Sequence, residues 1–258
     1  MIPFFEVPDI PVGPFQVHAF GILAAAAMGA GYFWFSRRVR QLGFNGSHVA
    51  GMVFWMLAAG FAGAIVLKFL YVPGLVQMLP TAPANIVLLG GGIASFGGLF
   101  AGLAGGCLYL HAAGLGNITI LRYLDALAFV FPRAWFLGRL GCALSHDHPG
   151  VRTDSWLGVQ YPGGTRYDLG LIEALFTLLF IGALEAIGRR HWPPGFYLGL
   201  FLSVYGGFRF ALDFLHENAL RYFGWTVDQY ASTAAVAAGL ALLATCVGRS
   251  GQTPTRTM

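Results

Sequence analysis

The chain has 258 residues, of which 57% are hydrophobic and only 10% charged, with a formal net charge of +4. Ordinary soluble domains carry about 25% charged residues, so this composition excludes a soluble enzyme and indicates an integral membrane protein, whose length is counted in spans of about 20 residues. The basic excess requires no nucleic acid, because the arginines sort by connection along the chain.

Residues 1–16 hold Glu6, Asp9 and four prolines without any Lys or Arg. That is unlike a cleavable signal peptide, which opens with a basic region, and it reads as an ordered arm on the outer surface. Seven apolar stretches follow, at about 17–35, 49–71, 87–113, 121–143, 167–187, 195–216 and 227–248. They predict an all-α bundle of about seven transmembrane helices over 17–248, closed by a tail over 249–258. Arg37, Arg38, Arg40, Arg122, Arg189, Arg190, Arg249 and Arg256 fall on alternate connections, eight basic residues against the three on the others, Arg152, Arg166 and Arg221. The positive-inside tendency then puts the N-terminus outside and the C-terminus in the cytoplasm. Four basic residues remain inside apolar stretches: Lys68, Arg133, Arg139 and Arg209. Lys68 lies near a span end, from which its ammonium can snorkel to the head groups.

The third stretch places small residues at 90, 94, 98, 102 and 106. Such a repeat lets a neighbouring helix or an acyl chain approach the backbone, and packing is the plainer of the two roles. Gly90, Gly91 and Gly92 in a row weaken a helix start. The fourth stretch carries Asp125, Pro132, Arg133 and Arg139 and ends in Ser145-His-Asp-His-Pro-Gly150. An arginine at the bilayer centre costs roughly 2.5–3.5 kcal/mol even on the lenient scale, so this helix is expected to face a polar cavity. Gly138 and Gly141 leave no side-chain bulk beside Arg139. The following outer loop, at about 144–166, is the longest connection and contains the turn signal Pro162-Gly163-Gly164. In the sixth stretch Arg209 and Asp213 are four residues apart on one helix face. The acid follows the base, the weaker order for helix stability, which favours a functional role over a plain ion pair.

Cys107, Cys142 and Cys246 all lie in apolar segments without Cys-x-x-Cys spacing, so they read as small buried hydrophobes. His146-Asp147-His148 admits three readings: a histidine base with an orienting carboxylate, a metal site, or a polar loop at the membrane surface. Third and fourth metal ligands are not evident nearby in the sequence, and no metal is expected. No phosphate-cradling glycine loop sits between a strand and a helix, so no soluble cofactor is expected either.

Pro11-Val-Gly-Pro-Phe-Gln-Val-His18, the glycine-rich third stretch, Gly138-Arg139-Leu140-Gly141, Leu171-Ile-Glu-Ala-Leu175, Tyr205-Gly-Gly-Phe-Arg209 and Gly224-Trp-Thr-Val-Asp-Gln229 together resemble the prolipoprotein diacylglyceryl transferase family. The resemblance runs over nearly the whole chain. It implies a multi-pass protein of the bacterial cytoplasmic (inner) membrane with its active site toward the outer side. The implied reaction moves a diacylglyceryl group from phosphatidylglycerol to the lipobox cysteine thiol of a prolipoprotein signal peptide, leaving a thioether and releasing glycerol phosphate.

In this reading Arg139 and Arg209 hold the phosphate, because an arginine fork matches it bidentately. Asp147 keeps the family's acid after the signature arginine, and His146 and His148 are the local candidates for activating the thiol. Asp125, Asp213, Arg133, Gly97, Gly98, Gly138 and Gly141 are assigned to substrate binding. The sequence departs from the family pattern at three places: Phe96 stands for its histidine, Cys142 for its asparagine and Phe20 for the tyrosine of its first span. A non-catalytic relative that binds anionic lipid or lipoprotein signal segments is therefore the alternative. A transporter is more distant, since no inverted repeat is evident. The oligomeric state is open.

Overall fold

The computed structural model describes residues 1–5, 7–8, 10–12, 15–71, 95–190, 192–217 and 220–250. The expectations for Gly90, Gly91, Gly92 and the tail beyond residue 250, and for the side chains of Lys68 and Phe96, fall outside what is described.

With lipid as the solvent, backbone groups must be satisfied within each span, and the apolar runs accordingly form helices. These are α1 (Ala19–Gln41), α2 (Ser47–Tyr71), α3 (Ser95–Ala112), α4 (Asn117–Ser145), α5 (Leu169–Ile187), α6 (Phe196–Leu212) and α7 (Val227–Ser250). Among the described residues six of them are long and apolar enough to cross a membrane, and α3 is a shorter apolar helix. Large apolar side chains such as Phe54, Leu57, Phe61 and Val66 of α2 point outward, as lipid-facing positions should. The chain is an α-helical multi-pass membrane protein.

Small residues set which helices touch. A Cβ on Gly97 would sit 2.5 Å from the Gly63 carbonyl oxygen and 2.6 Å from Leu67 Cβ, and one on Gly98 would meet the Gly60 carbonyl oxygen at 3.4 Å. Gly97 and Gly98, expected to bind substrate, thus lie on the seam between α2 and α3, where their Cβ positions face helix backbone. A second seam joins α6 to α7, where a Cβ on Gly239 would meet the Gly199 carbonyl oxygen at 2.7 Å. The core lies around α4, whose Tyr123, Phe129 and Val130 pack with Phe35 and Val39 of α1, Phe180 and Leu184 of α5 and Leu198 and Phe201 of α6.

The 29 residues of α4 run for about 43 Å at 1.5 Å per residue, against a hydrocarbon core of about 30 Å. Arg139 lies eight residues past the helix midpoint, about 12 Å toward its C-terminal end. Arg139 is thus set toward the end of α4 that leads into the sheet.

The connection expected as an outer loop over 144–166 is largely a sheet. Strands β4 (Pro149–Arg152), β5 (Gly158–Tyr161) and β6 (Gly164–Asp168) are joined by β1 (Ile2–Pro3) in the order β1-β5-β6-β4. β1 runs parallel to β5, with Ile2 opposite Val159. Pro162 and Gly163 make the turn between β5 and β6, and Gly164 follows at φ +113°. The arm also forms a small hairpin, β2 (Ile10–Val12) with β3 (Phe15–Val17). Two further short strands, β7 (Arg221–Tyr222) and β8 (Trp225–Thr226), pair just before α7.

Candidate active site

The C-terminal half of α4 carries Trp135, Arg139 and Cys142 at spacings of four and three residues, so they share one face. That face meets Glu173 in α5. Glu173 is 1% exposed; its Oε1 accepts from Trp135 Nε1 at 2.8 Å and Tyr205 Oη at 2.5 Å, and its Oε2 is ion-paired with Arg139 Nε at 3.1 Å. The Arg139 guanidinium also lies over the Trp135 ring, 4.6 Å from its centroid.

Tyr205 and Arg209 are one turn apart on α6, which brings Arg209 to the other side of the same carboxylate, within its electrostatic reach. Arg209 Nη2 donates to Asp228 Oδ2 at 2.6 Å, and Nη1 is 3.7 Å from Asp213 Oδ1. Asp228 is placed by a reciprocal cap at the start of α7. Thr226 Oγ1 accepts from Gln229 N at 3.0 Å while Thr226 N donates to Gln229 Oε1 at 3.1 Å. The Thr226 hydroxyl donates in turn to Asp213, whose other oxygen lies 3.2 Å from His216 Nδ1. Arg139 and Arg209 are 7% and 6% exposed, so two buried guanidiniums from different helices meet around one buried glutamate.

Space remains on the Arg139 side. A Cβ on Gly138 would meet nothing within 4 Å, whereas one on Gly141 would touch Phe20 and Leu23 of α1 at 3.3 Å. Gly141 is therefore a helix contact and Gly138 an opening. Arg139 Nη1 faces the Cys142 sulfur at 4.0 Å, a weak contact that leaves most of the fork's donors uncommitted.

Two assigned residues lie elsewhere. Asp125 is about 21 Å along α4 from Arg139, where its carboxylate accepts from Gly195 N at 2.6 Å and Leu198 N at 2.9 Å. Both oxygens satisfy the free amides at the start of α6, so Asp125, expected to bind substrate, caps that helix. Arg133 pairs with Glu185 of α5 and donates to the Phe129 carbonyl at 2.5 Å. It lines a different cavity, of about 590 Å³, with Trp34, Arg37, Arg38, Gln41 and Arg189. Its partner and its place separate it from the Glu173 cluster.

The histidines divide. His146 ends α4 with φ 49°, and its Nδ1 donates to Asp168 Oδ2 at 2.6 Å. The carboxylate that orients it is therefore Asp168 and not the adjacent Asp147. Asp168 also accepts from Tyr161 Oη at 2.9 Å and caps α5 through Leu171 N at 2.9 Å. Burial and the Asp168 charge push the Tyr161 hydroxyl well above its ordinary pKa, which keeps it a donor. Phe4 and Phe5 of the arm close over the His146 ring, each at 4.9 Å between centroids. Buried and enclosed, His146 braces the helix end against the sheet.

Asp147 and His148 instead pair with each other at 3.2 Å, half-exposed. Cys142 Sγ, an Asp147 oxygen and a His148 nitrogen all lie within 4.8 Å of one another. Glu173, Tyr205, Trp135, Asp228 and Asp168 were not singled out from the sequence as site residues. A carboxylate in the first half of the apolar run of α5, well inside the span, was the signal available for Glu173, and Trp135 stands one turn before Arg139.

Comparison with known proteins agrees with the architecture. The profile of the prolipoprotein diacylglyceryl transferase family matches residues 9–245. The phosphatidylglycerol–prolipoprotein diacylglyceryl transferase of Symbiobacterium thermophilum is 24% identical over 261 residues, covering 95% of this chain and 94% of the relative. That of Nitratidesulfovibrio vulgaris is 28% identical over 252 residues, with 93% and 94% covered. That of Pseudomonas aeruginosa is 23% identical over 268 residues, with 98% and 97% covered.

Proposed function

The chain belongs to the prolipoprotein diacylglyceryl transferase family, and from that premise we propose that it transfers the diacylglyceryl group of phosphatidylglycerol to the lipobox cysteine of a prolipoprotein. The observation that carries this reading is the pair of buried arginines, Arg139 and Arg209, gathered around Glu173 from two helices.

When the thiol attacks the glyceryl carbon, negative charge grows on the departing phosphate. Arg139 meets it with donors already aimed, because Glu173 fixes the Nε edge of the guanidinium and Trp135 fixes its plane. Such preorganised donors are commonly worth about 3 kcal/mol of barrier each. Gly138 gives the head group room to approach. Arg209, held by Asp213 and Asp228, supplies a second fixed positive charge. The end of the bundle that carries the sheet is the outer face of the cytoplasmic membrane in this reading. The arginine-rich connections and the C-terminus then lie in the cytoplasm, in keeping with the positive-inside tendency.

The test is to incubate purified protein with phosphatidylglycerol vesicles and a lipobox-cysteine peptide. Glycerol phosphate release is expected, with Arg139→Ala and Arg209→Ala abolishing it. One observation favours a second reading, a relative that binds anionic lipid or signal segments without turnover: two aspartates already engage Arg209. A folded preparation that releases nothing from several anionic donors would leave that second reading in place.

A further inference from the structure

We propose that Cys142, Asp147 and His148 form a zinc site, and that the acceptor thiol of the transfer reaction takes its open fourth position. The identity of that thiol rests on the transferase reading, whereas the metal site stands on geometry alone.

Cys142 lies in the last turn of α4. His146 ends the helix in the left-handed region, at φ 49°, and so turns the chain back on itself. Asp147 and His148 are thereby returned over the Cys142 sulfur. The return is pinned from behind, because the His148 carbonyl accepts from Leu169 N at 3.0 Å and Asp168 holds His146 at 2.6 Å. Three ligand atoms of three kinds, a thiol sulfur, a carboxylate oxygen and an imidazole nitrogen, result within 4.8 Å of one another.

Zinc bonds of about 2.0–2.3 Å in a tetrahedron put ligand atoms roughly 3.3–3.8 Å apart. Closing the present spacing requires movements of about 1 Å, which the half-exposed Asp147 and His148 side chains can make by rotation. Thiolate, imidazole and carboxylate together suit zinc better than the hard cations, which prefer all-oxygen sets. Three protein ligands with one position open are the mark of a reactive rather than a structural zinc.

Charge does not forbid the ion. One thiolate and one carboxylate cancel the two positive charges of zinc, and Glu173 matches Arg139 from the other side at 3.1 Å. A bound substrate thiolate would then make the site negative, facing Arg139.

The site supplies a way to activate the acceptor thiol. A free cysteine is only a few per cent thiolate at neutral pH. A thiol coordinated to zinc is deprotonated outright, its proton passing to the water at the exposed Asp147–His148 rim. The sulfur lone pair then forms the C–S bond as the glyceryl C–O bond breaks. The bonding pair leaves with glycerol phosphate, and zinc changes neither oxidation state nor number.

The experiment uses the full-length protein in detergent, stripped with a chelator and titrated with cobalt(II) alone, then with zinc(II) in competition. One cobalt per chain is expected, with a near-ultraviolet thiolate-to-cobalt charge-transfer band that zinc displaces. Cys142→Ser should abolish the band. Asp147→Asn and His148→Ala, at half-exposed positions that do not threaten folding, should each weaken binding by at least about tenfold, the lower bound seen even for second-shell partners. Cys107→Ser and Cys246→Ser should leave the band unchanged. Absence of stoichiometric cobalt from the wild-type chain, or a band that survives Cys142→Ser, would overturn the site. Undiminished glycerol phosphate release by the chelator-stripped protein would overturn its role with the thiol. A chain that binds cobalt but never releases glycerol phosphate would keep the metal site and refute the transferase reading instead.

Discussion

The bundle carries two groups of arginines along α4, one toward the sheet and one around the middle of the helix, and holds them in opposite ways. Toward the sheet, Arg139 and Arg209 are buried, and each is met by carboxylates from a different helix, Glu173 and Asp228. Around the middle of α4, Arg37, Arg38, Arg133 and Arg189 share a cavity of about 590 Å³ with a single acid, Glu185, whose side chain is 60% exposed. The first group is a fixed constellation in which removing one member strands a buried charge. The second is a surplus of positive charge around one largely exposed acid, to which only Arg133 is paired. Position along the helix separates a buried pair with its own carboxylates from a group that shares a single acid.

Glu173→Gln probes that contrast most severely. It leaves Arg139 buried without its counter-charge, so a loss of about 3–5 kcal/mol is expected. Release of glycerol phosphate should fall about a hundredfold, as when a catalytic group is displaced by 1 Å. Thermal unfolding in detergent and the release assay read the two effects separately.

Asp228→Asn is the next largest. Arg209 keeps Asp213 and loses one charge-assisted hydrogen bond, so about 1.5–3 kcal/mol of stability is expected to go. A null result in thermal unfolding would show that Arg209 is less desolvated than its burial implies.

His146→Phe sharpens the boundary of the constellation. It fills much the same space and removes only the bond to Asp168, which retains Tyr161 and Leu171 N as donors. A cost of about 1–3 kcal/mol is expected, with turnover per folded molecule preserved. Turnover abolished in a protein that unfolds at the wild-type temperature would instead make His146 part of the chemistry.

Arg133→Met should do least. Its partner is mostly in water, so the pair is worth no more than about 1 kcal/mol, and turnover should hold. A large effect would erase the distinction between the two groups.

The helices were legible because lipid leaves a one-dimensional record of itself. The fifth stretch, read as 167–187, is α5 over Leu169–Ile187, and the fourth, read as 121–143, is α4 over Asn117–Ser145. Arg139 and Arg209 were legible as inward-facing for the same reason, since a charge in an apolar run needs a partner. Which partner was not legible. Glu173 lies 38 positions from Trp135, with which Arg139 shares it, and helix packing alone brings them together. Asp125 shows the converse: it is as costly in its apolar surroundings as Arg139, but its need is met by backbone amides of a neighbouring helix, for which no side-chain pattern exists. The sheet escaped notice because its strands are only two to five residues long and one of them comes from the other end of the sequence.

That borrowed strand has a consequence for how the molecule is made. Met1 and Gln160 are 159 positions apart, and β1 has no edge to join until β5 exists. At about 5–20 residues per second, the arm waits roughly 8–30 s for its mate during synthesis. Through that interval Phe4 and Phe5 have no His146 to cover, and the lid over the finished bundle can seat only after the fourth span has been threaded. Ribosome-bound chains halted before residue 158 should therefore expose the arm to protease, and chains released after residue 168 should protect it.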